Sequence, residues 1–211
     1  MKSSVIIETI KPEHAEALEE LQRICLPTLG DDELLLKEHF LKHYELFPEG
    51  NFVAKIDEQI VGLGSGFLCD FDFEHPQHRY MDIIEGGYYT GHDPSGDWYY
   101  GSDISVHPKF RRRGIGGKLY KARKDVVKRL NKKGIVAGGL IPTYVQYKNK
   151  MTVHEYVKKV VAGEIYGKTL TFQLNNGFKV RGMIENYIED EASDNWSTLI
   201  VWDNPDYTPE A

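Results

Sequence analysis

Apolar residues in the first third of the chain recur with periods that predict a strand, two helices and a hairpin. The run at 5–9 is short and apolar, which favours a strand. After Pro12 the spacing becomes helical, with apolar side chains at Ala15, Leu18, Leu21 and Cys25. A second helix is predicted over Asp32–Tyr44, and two β-branched runs at 51–56 and 60–68 predict the hairpin.

The middle of the chain combines a long irregular stretch with one strand-and-helix unit. Residues 70–97 are rich in His, Pro, Gly, Asp and Tyr and have no sustained period, so we expect a long loop with a short strand near 81–84. Long irregular loops in compact domains often carry function. Residues 98–106 predict a strand, followed by a helix over 117–131 with Gly134 as its cap.

The last third of the chain continues the alternation of strands and helices. An apolar run at 135–141 predicts a strand, and Thr152-Val153-His154-Glu155 has the spacing of a capping box that opens a helix ending at Gly163. A short helix near 170–175 and strands near 178–188 and 196–202 follow. With 211 residues, this order predicts a single α/β domain over 1–211.

Cysteine usage and hydropathy limit the class of protein. The two cysteines, Cys25 and Cys69, lie in apolar surroundings without metal-ligand spacing, so we expect reduced thiols. The eight histidines show no metal-ligand pattern, so no metal site is predicted. No apolar segment reaches the roughly 18 residues of a membrane helix, and Glu8 interrupts the N-terminal run before it reaches signal-peptide length. We therefore expect a cytoplasmic protein without a membrane partner.

Charge is segregated along the chain although the formal net charge is only −6. Residues 109–133 hold 12 of the 26 basic side chains and one acid, a local charge of +11 that leaves −17 for the rest. Residues 70–103 hold eight acids and one base, and no basic residue follows Arg181. Such segregation indicates two partners of opposite charge.

The basic segment contains Arg111-Arg112-Arg113-Gly114-Ile115-Gly116 directly before a predicted helix. A helix N-terminus carries unpaired N–H groups and a partial positive charge, and nearby glycines allow the backbone to approach a phosphate closely. Arginine adds bidentate donors. The glycine spacing fits neither a dinucleotide-binding fold nor a P-loop. The sequence therefore predicts an anion cradle suited to a pyrophosphate.

Residues 104–116, ISVHPKFRRRGIG, resemble the central motif of the GNAT superfamily of acyl-CoA-dependent N-acyltransferases. The resemblance implies a GNAT-like α/β fold, in which a mixed, mostly antiparallel sheet is splayed at the motif strand near Val106 and Ile135 and is flanked by helices. It also implies that acetyl-CoA binds in the resulting cleft. The residues expected to bind this cofactor are Ile104, Ser105, Val106, Arg111, Arg112, Arg113, Gly114, Ile115, Gly116, Gly117 and Lys118.

The chemistry of acetyl transfer requires a neutral amine, a donor for the developing oxyanion and a proton for the leaving thiolate. The candidates for the base are Glu85, in the acidic loop, and Asp103, on the motif strand. Either could instead be structural: Asp103 as a strand-end acceptor, Glu85 as a solvated acid. The tyrosine that many GNAT enzymes use as acid corresponds here to Gln173, which cannot donate a proton as an acid. Three alternatives stay open: a more distant tyrosine donates the proton (Tyr144, Tyr147 or Tyr166), the thiolate departs to solvent, or acyl-CoA is bound without efficient turnover.

Three functions follow from these observations. The first is an N-acetyltransferase acting directly on a primary amine, on a small molecule or a protein, with the acidic segments favouring a cationic acceptor. The second is a catalytically weak acyl-CoA sensor, since 138–178 resembles the acetyltransferase half of bacterial proteins in which a GNAT domain precedes a nitrilase-like amidohydrolase. The third, a nucleic-acid-binding module, is disfavoured because the rest of the chain, at −17, repels a polyanion. A homodimer and an amidohydrolase partner are both compatible with these readings.

The sequence leaves two interpretations open for the aromatic residues around the motif strand, and it gives expectations for two of the histidines. Tyr88, Tyr89, Trp98, Tyr99 and Tyr100 either wall a substrate cleft or form ordinary packing. His107 is expected to be structural, and His154 to be solvated.

Overall fold

The computed structural model describes residues 4–209, in which seven strands form one sheet. The strands are β1 (Val5–Thr9), β2 (Phe52–Ile56), β3 (Gln59–Cys69), β4 (Trp98–Val106), β5 (Gly134–Leu140), β6 (Lys179–Ile184) and β7 (Ser197–Asp203). Their order in the sheet is β1-β2-β3-β4-β5-β7-β6, with β4 and β5 parallel and the other neighbours antiparallel. The mixed, mostly antiparallel sheet expected from the sequence is confirmed.

Helices cover both faces of the sheet. They are α1 (Ala15–Cys25), α2 (Lys37–Leu46), α3 (Tyr80–Ile83), α4 (Ile115–Arg129), α5 (Val153–Val161) and α6 (Lys168–Asn175). One core contains Leu119, Tyr156 and Leu170 and lies on what we call the α4 face, with α5 and α6. The other contains Leu18 and Phe40 and lies on the α1 face, with α2 and α3. The helix α1 buries the apolar stripe that its sequence period predicts, with Ala15, Leu18 and Leu21 buried.

The parallel pair β4–β5 is joined over a short stretch only. Its ladder connects Trp98–Tyr100 to Gly134–Val136, although both strands continue beyond it. Past that point β4 stays paired with β3, and β5 stays paired with β7. A gap therefore opens between 101–106 and 137–140, which is the splay expected from the sequence. It begins beyond Ile135, because Ile135 is still paired with Tyr99.

A β-bulge in β4 lies where this gap begins. Ser65 of β3 pairs with Asp103 and Gly66 pairs with Gly101, so Ser102 is the extra residue. Its hydroxyl lies 3.0 Å from the Ser65 hydroxyl and also hydrogen-bonds Tyr89. An extra residue breaks the alternation of a strand, so that Ser102 and Asp103 both face α1-side partners. The bulge thus places two polar side chains at the edge of the gap.

Several element boundaries differ from those expected. The prediction of a short strand at 81–84 is wrong, because Tyr80–Ile83 is one turn of α-helix. The second helix begins at Lys37, since Asp31–Glu33 forms a separate 3₁₀ turn. Gly134 is the first residue of β5 and does not cap α4. The capping box of α5 is confirmed, with the Thr152 N–H donating to Glu155 at 2.9 Å and the Glu155 N–H donating to the Thr152 hydroxyl at 3.3 Å.

The long segment between β3 and β4 packs over the α1 face. The Tyr80 N–H donates to the Tyr187 carbonyl at 2.7 Å, which ties this segment to the loop between β6 and β7. Tyr89 is buried and stacks on His43 of α2, with ring centroids 3.6 Å apart. The two loops therefore form a buried aromatic layer above the gap.

Candidate active site

The turn between β4 and α4 leaves the N-terminus of α4 open. Gly114, the residue before the helix, has φ 76° and no atom within 4 Å of the position that a Cβ would take. Arg112 also has a positive φ, of 64°. These left-handed conformations turn the chain sharply, so the first amides of α4 face open space. The space beside the Gly114 Cα is therefore open to a ligand at the start of α4.

The three arginines of the turn have different surroundings. Arg111 is held against β4, because its Nε donates to the Val106 carbonyl at 2.9 Å. Arg113 lies 5.1 Å from the ring centroid of Phe110. All three side chains are exposed. Arg112 and Arg113 can therefore extend toward a bound anion, whereas Arg111 also fixes the end of β4.

The remaining residues of the expected cofactor set divide between surface and core. Ile115 is buried and anchors α4, while Lys118 is exposed and its Nζ donates to the Val5 carbonyl at 3.3 Å. Gly116 allows α4 to approach α6, since a Cβ there would lie 2.7 Å from Phe172. A Cβ at Gly117 would meet only Asn176, at 3.9 Å. Gly116 thus has a packing role in addition to any contact with a ligand.

The gap between β4 and β5 is accessible from outside. Ile104 and Val106 are partly exposed, although both pack against the core of the α4 face. Gly138 of β5 is also partly exposed, in spite of its position between two strands of the sheet. Since β4 and β5 do not pair there, one edge of each strand is available to an extended ligand.

Asp103 faces α1 and is held there by two donors. The Gln22 side-chain amide donates to one carboxylate oxygen, and the Ser105 hydroxyl donates to the other at 2.7 Å. Burial raises the pKa of Asp103, while the hydrogen bonds from Ser105 and Gln22 oppose that rise. This carboxylate therefore links α1 to β4, and Ser105, expected to bind the cofactor, is buried as its partner.

Glu85 lies in a different environment from Asp103. It is exposed and has φ 52°, in a tight turn of the segment between α3 and β4. Its Cγ lies 3.6 Å from the position of a Cβ at Gly91, within the same segment. The two carboxylates proposed as alternative bases are thus on separate elements.

Gln173, at the position expected to hold an acid, is buried in α6 against β5. A Cβ at Gly139 would lie 2.9 Å from its Oε1, which has no hydrogen-bond partner among the described residues. Tyr120 of α4 is a neighbour: burial raises the pKa of its phenol to about 12, and hydrogen bonding to Gln173 opposes that rise. A polar, incompletely paired amide therefore replaces the expected phenol.

An acidic cleft lies between the α1–α2 and β6–β7 connections. It has a volume of about 570 Å³, and its lining residues are Thr28, Gly30, Glu189, Asp190, Glu191, Asp194 and Asn195. One lysine reaches it, since Lys148 Nζ lies 3.0 Å from Asp194. The sequence indicated an excess of acids in this part of the chain but not that these two connections meet.

The cysteines and histidines have structural surroundings. Both thiols are free and partly buried, and burial raises the pKa of Cys25 to about 11 and of Cys69 to about 12. Across residues 4–209, no group of His, Cys, Asp and Glu side chains could hold a metal ion, and no helix is long and apolar enough to cross a membrane. His107 accepts from the Lys109 N–H at 3.2 Å, and exposed His154 packs edge-on against Trp196.

The aromatic cluster around β4 is divided between the two faces of the sheet. Tyr99 contributes to the core of the α4 face, whereas Tyr89 and Tyr100 contribute to the core of the α1 face. Tyr88 is exposed by 40%. Most of this cluster is therefore packing.

The fold and its central turn define a class of acyltransferase. Residues 15–156 match the Acetyltransferase (GNAT) family, and this range exceeds half of the chain. The chain therefore belongs to the GNAT family, and the resemblance of its motif is confirmed.

Two relatives from Bacillus subtilis (strain 168) match nearly the whole chain. YhcX, a probable hydrolase, is 41% identical over 210 residues, which are 99% of this chain and 40% of that protein. YkwB, an uncharacterized N-acetyltransferase, is 33% identical over 195 residues, which are 91% of this chain and 85% of that protein. The chain thus spans well under half the length of YhcX.

Solved structures share the fold at low sequence identity. The loading GNATL domain of CurA from Lyngbya majuscula has a TM-score of 0.82 at 19% identity, covering 95% of this chain and 98% of that one. The GphF GNAT-like decarboxylase in complex with isobutyryl-CoA also has a TM-score of 0.82, at 21% identity, covering 94% and 99%. The putative acetyltransferase yncA from Salmonella typhimurium, with acetyl-CoA, has a TM-score of 0.62 at 14% identity, covering 98% of each chain.

Proposed function

We propose that this protein transfers an acetyl group from acetyl-CoA to a primary amine. One observation carries the proposal: two parallel strands separate after three paired residues, and one of them leads into an open helix N-terminus. This arrangement offers backbone groups to an extended arm and N–H donors to a phosphate at its end. Family membership and the relative YkwB, named as an N-acetyltransferase, support it.

The residues present fit acetyl-CoA. Open space at Gly114 and the exposed Arg112 and Arg113 suit the pyrophosphate, which carries negative charge. Within the described sheet, the edges of 104–106 and 137–140 that face the gap pair with no other strand, which suits the polar, extended pantetheine arm. When bound, this ligand supplies an activated acetyl thioester.

We further propose that the acceptor is cationic and enters by the acidic cleft. Glu189, Glu191 and Asp194 are exposed in the lining of that cleft. Glu189 lines the cleft together with Thr28 and Gly30 of the α1–α2 connection. Carboxylates that converge on one cleft attract and orient ammonium groups.

A panel of acceptors tests both parts of this proposal. Release of free CoA is measured with polyamines, aminoglycoside-like amines, lysine peptides and neutral or anionic amines, and the products are identified by mass spectrometry. We expect acetylated polycations, with a raised KM in the Glu189→Gln/Glu191→Gln variant. Glu164→Gln is a matched control, because Glu164 is exposed after α5 and pairs with Lys159. Preference for neutral or anionic amines would refute the cationic acceptor, and no transfer to any amine would refute the activity.

A second candidate is a catalytically weak acyl-CoA sensor joined to or associated with a hydrolase. Gln173 favours it, since an amide stands where a proton donor is expected, and the relative YhcX is named as a probable hydrolase more than twice as long. Acetyl-CoA binding without turnover, together with altered activity of an amidohydrolase partner, would support this candidate over the first. Gel filtration at several protein concentrations would test the proposed homodimer.

A further inference from the structure

Three side chains from distant parts of the chain form a continuous row of hydrogen bonds on the α1 face. His78 Nε2 lies 2.8 Å from the Tyr100 hydroxyl, and the Tyr100 hydroxyl lies 3.0 Å from the Tyr187 hydroxyl. At the far end, the Tyr187 hydroxyl lies against Gly138, where a Cβ would be 2.6 Å from the hydroxyl oxygen. We call His78, Tyr100 and Tyr187 the relay.

The position of the proton on the His78 ring determines which group donates in each hydrogen bond of the relay. Its Nδ1 lies 2.8 Å from the Pro76 carbonyl, which can only accept, so Nδ1 carries the proton. In the neutral imidazole Nε2 then accepts from Tyr100, and Tyr100 in turn accepts from Tyr187. The hydroxyl protons of Tyr187 and Tyr100 therefore both point toward His78.

The two ends of the relay reach different surroundings. Gly138 lies in β5 beside the gap and is partly exposed, and the Tyr187 ring covers its Cα so closely that a Cβ would lie 2.2 Å from the ring. The tyrosines are buried, with relative exposures of 0% for Tyr100 and 2% for Tyr187. His78 is partly exposed, on the segment before α3. The relay thus connects the gap to a partly exposed imidazole through two buried tyrosines.

We propose that the relay is the exit for the proton that the acceptor amine loses during transfer, with Tyr187 receiving it and His78 holding it. This inference rests on the proposed function. It assigns the base to neither Asp103 nor Glu85: both oxygens of Asp103 already accept from Gln22 and Ser105.

During transfer one bond forms, one bond breaks and the amine loses one proton. The amine nitrogen forms a bond to the acetyl carbon, and the carbon–sulfur bond breaks with its electron pair remaining on sulfur. The amine proton passes to the Tyr187 oxygen as Tyr187 gives its proton to Tyr100 and Tyr100 gives its own to His78 Nε2. His78 then releases a proton to solvent, and the thiolate takes one from solvent.

The surroundings of His78 favour its neutral form before the reaction. Burial lowers the pKa of His78, while the Pro76 carbonyl and the negative charge of Asp82 in α3 oppose that fall. The other titratable groups that face it are Tyr100 of β4 and Tyr187 of the β6–β7 loop. A neutral imidazole is the state that accepts a proton, so transfer should fail as pH falls through the pKa of His78.

The experiment compares Tyr187→Phe, Tyr100→Phe and His78→Gln with Tyr80→Phe. Tyr80 is a buried neighbour of Tyr187 whose hydroxyl lies outside the relay. The pH dependence of kcat/KM is measured with a weakly basic acceptor, such as a hydrazide, that stays neutral over the range. We expect a loss of about 100-fold in the three relay variants, the size of a general-base contribution, and disappearance of the acidic limb in His78→Gln.

Two readouts do not depend on turnover. Acetyl-CoA affinity by calorimetry should be unchanged in every variant, and ¹⁵N NMR should show the His78 proton on Nδ1, with the Nε2 resonance moving in Tyr100→Phe. A wild-type profile in Tyr187→Phe, or a proton on His78 Nε2, would overturn the relay while leaving the proposed function intact. A wild-type protein that acetylates no amine would overturn both.

Discussion

His43 makes the stability of the fold depend on pH in a direction that the structure sets. It is fully buried in α2 and stacks on Tyr89, whose hydroxyl bonds Ser102 at the β4 bulge. Its Nε2 donates to the Gly87 carbonyl at 2.7 Å, and Nδ1 has no partner among the described residues. A proton added at Nδ1 would create a buried charge without an acceptor, close to the site.

The size of the stability loss follows from the difference in proton binding between the folded and the unfolded protein. Burial lowers the pKa of His43 from 6.5 to about 3, so the unfolded chain binds a proton below pH 6.5 that the folded protein does not. The stabilisation is present above pH 6.5 and is lost as pH falls toward 3. Between pH 7 and pH 5, linkage predicts a loss of ~2 kcal/mol in the free energy of unfolding from this residue alone.

Urea unfolding at pH 7 and pH 5 measures this loss in the wild type and in His43→Phe. Phenylalanine keeps the stacking on Tyr89 and does not titrate, so the variant should lose ~2 kcal/mol less between the two pH values. The contributions of the other histidines cancel in this difference. His154→Phe, which replaces an exposed imidazole, should keep the wild-type dependence. Equal pH dependence in the wild type and His43→Phe would refute the assignment of a buried, neutral imidazole.

Three further outcomes are expected. Asp103→Asn should lower the free energy of unfolding by about 1–3 kcal/mol in urea titrations, because the new amide nitrogen would face the Gln22 donor. The acidic limb of the pH profile of kcat/KM should remain in this variant. Loss of that limb would instead identify Asp103 as the base. Gly116→Ala should lower the Tm in calorimetric scans, because its Cβ would lie 2.7 Å from Phe172. Gly117→Ala should not lower the Tm, because its Cβ would lie 3.9 Å from Asn176. Equal Tm values for the two variants would contradict this packing. Arg112→Gln should weaken acetyl-CoA binding about 10-fold at low salt and less at high salt, because the Arg112 side chain is exposed and salt screens exposed charges. A loss of affinity that does not depend on salt would argue against a charge contact between Arg112 and the ligand.

The order of elements could be predicted from the sequence because each carries its own signal. The helical stripe of α1, the capping box of α5 and the β-branched runs of β2 and β3 are local patterns. The prediction of a strand at 81–84 is wrong for a physical reason: a short apolar run has no period that separates a strand from a helix. Its helical turn is fixed by tertiary contacts, including the hydrogen bond between Tyr80 and Tyr187.

The candidate site was predictable only in its cofactor half. Residues 104–118 are contiguous, so their charge and glycines form one recognisable motif. The relay joins residues 78, 100 and 187, and the acidic cleft joins residues near 30 and 190, which no local pattern connects. The bulge at Ser102 could not be predicted from the sequence either, because it depends on the register in which β4 pairs with β3.

Calorimetric titration with acetyl-CoA tests the central claim most directly, comparing the wild type with Gly114→Asp and Gly163→Asp. Both glycines have a positive φ, 76° and 77°, and neither has an atom within 4 Å of its Cβ position, so both substitutions cause similar backbone strain. Only Gly114 stands at the N-terminus of α4. We predict wild-type affinity in Gly163→Asp and no detectable binding in Gly114→Asp, where a carboxylate would occupy the place of the pyrophosphate. Equal affinity in the two variants would contradict the assignment of this turn as the cofactor site.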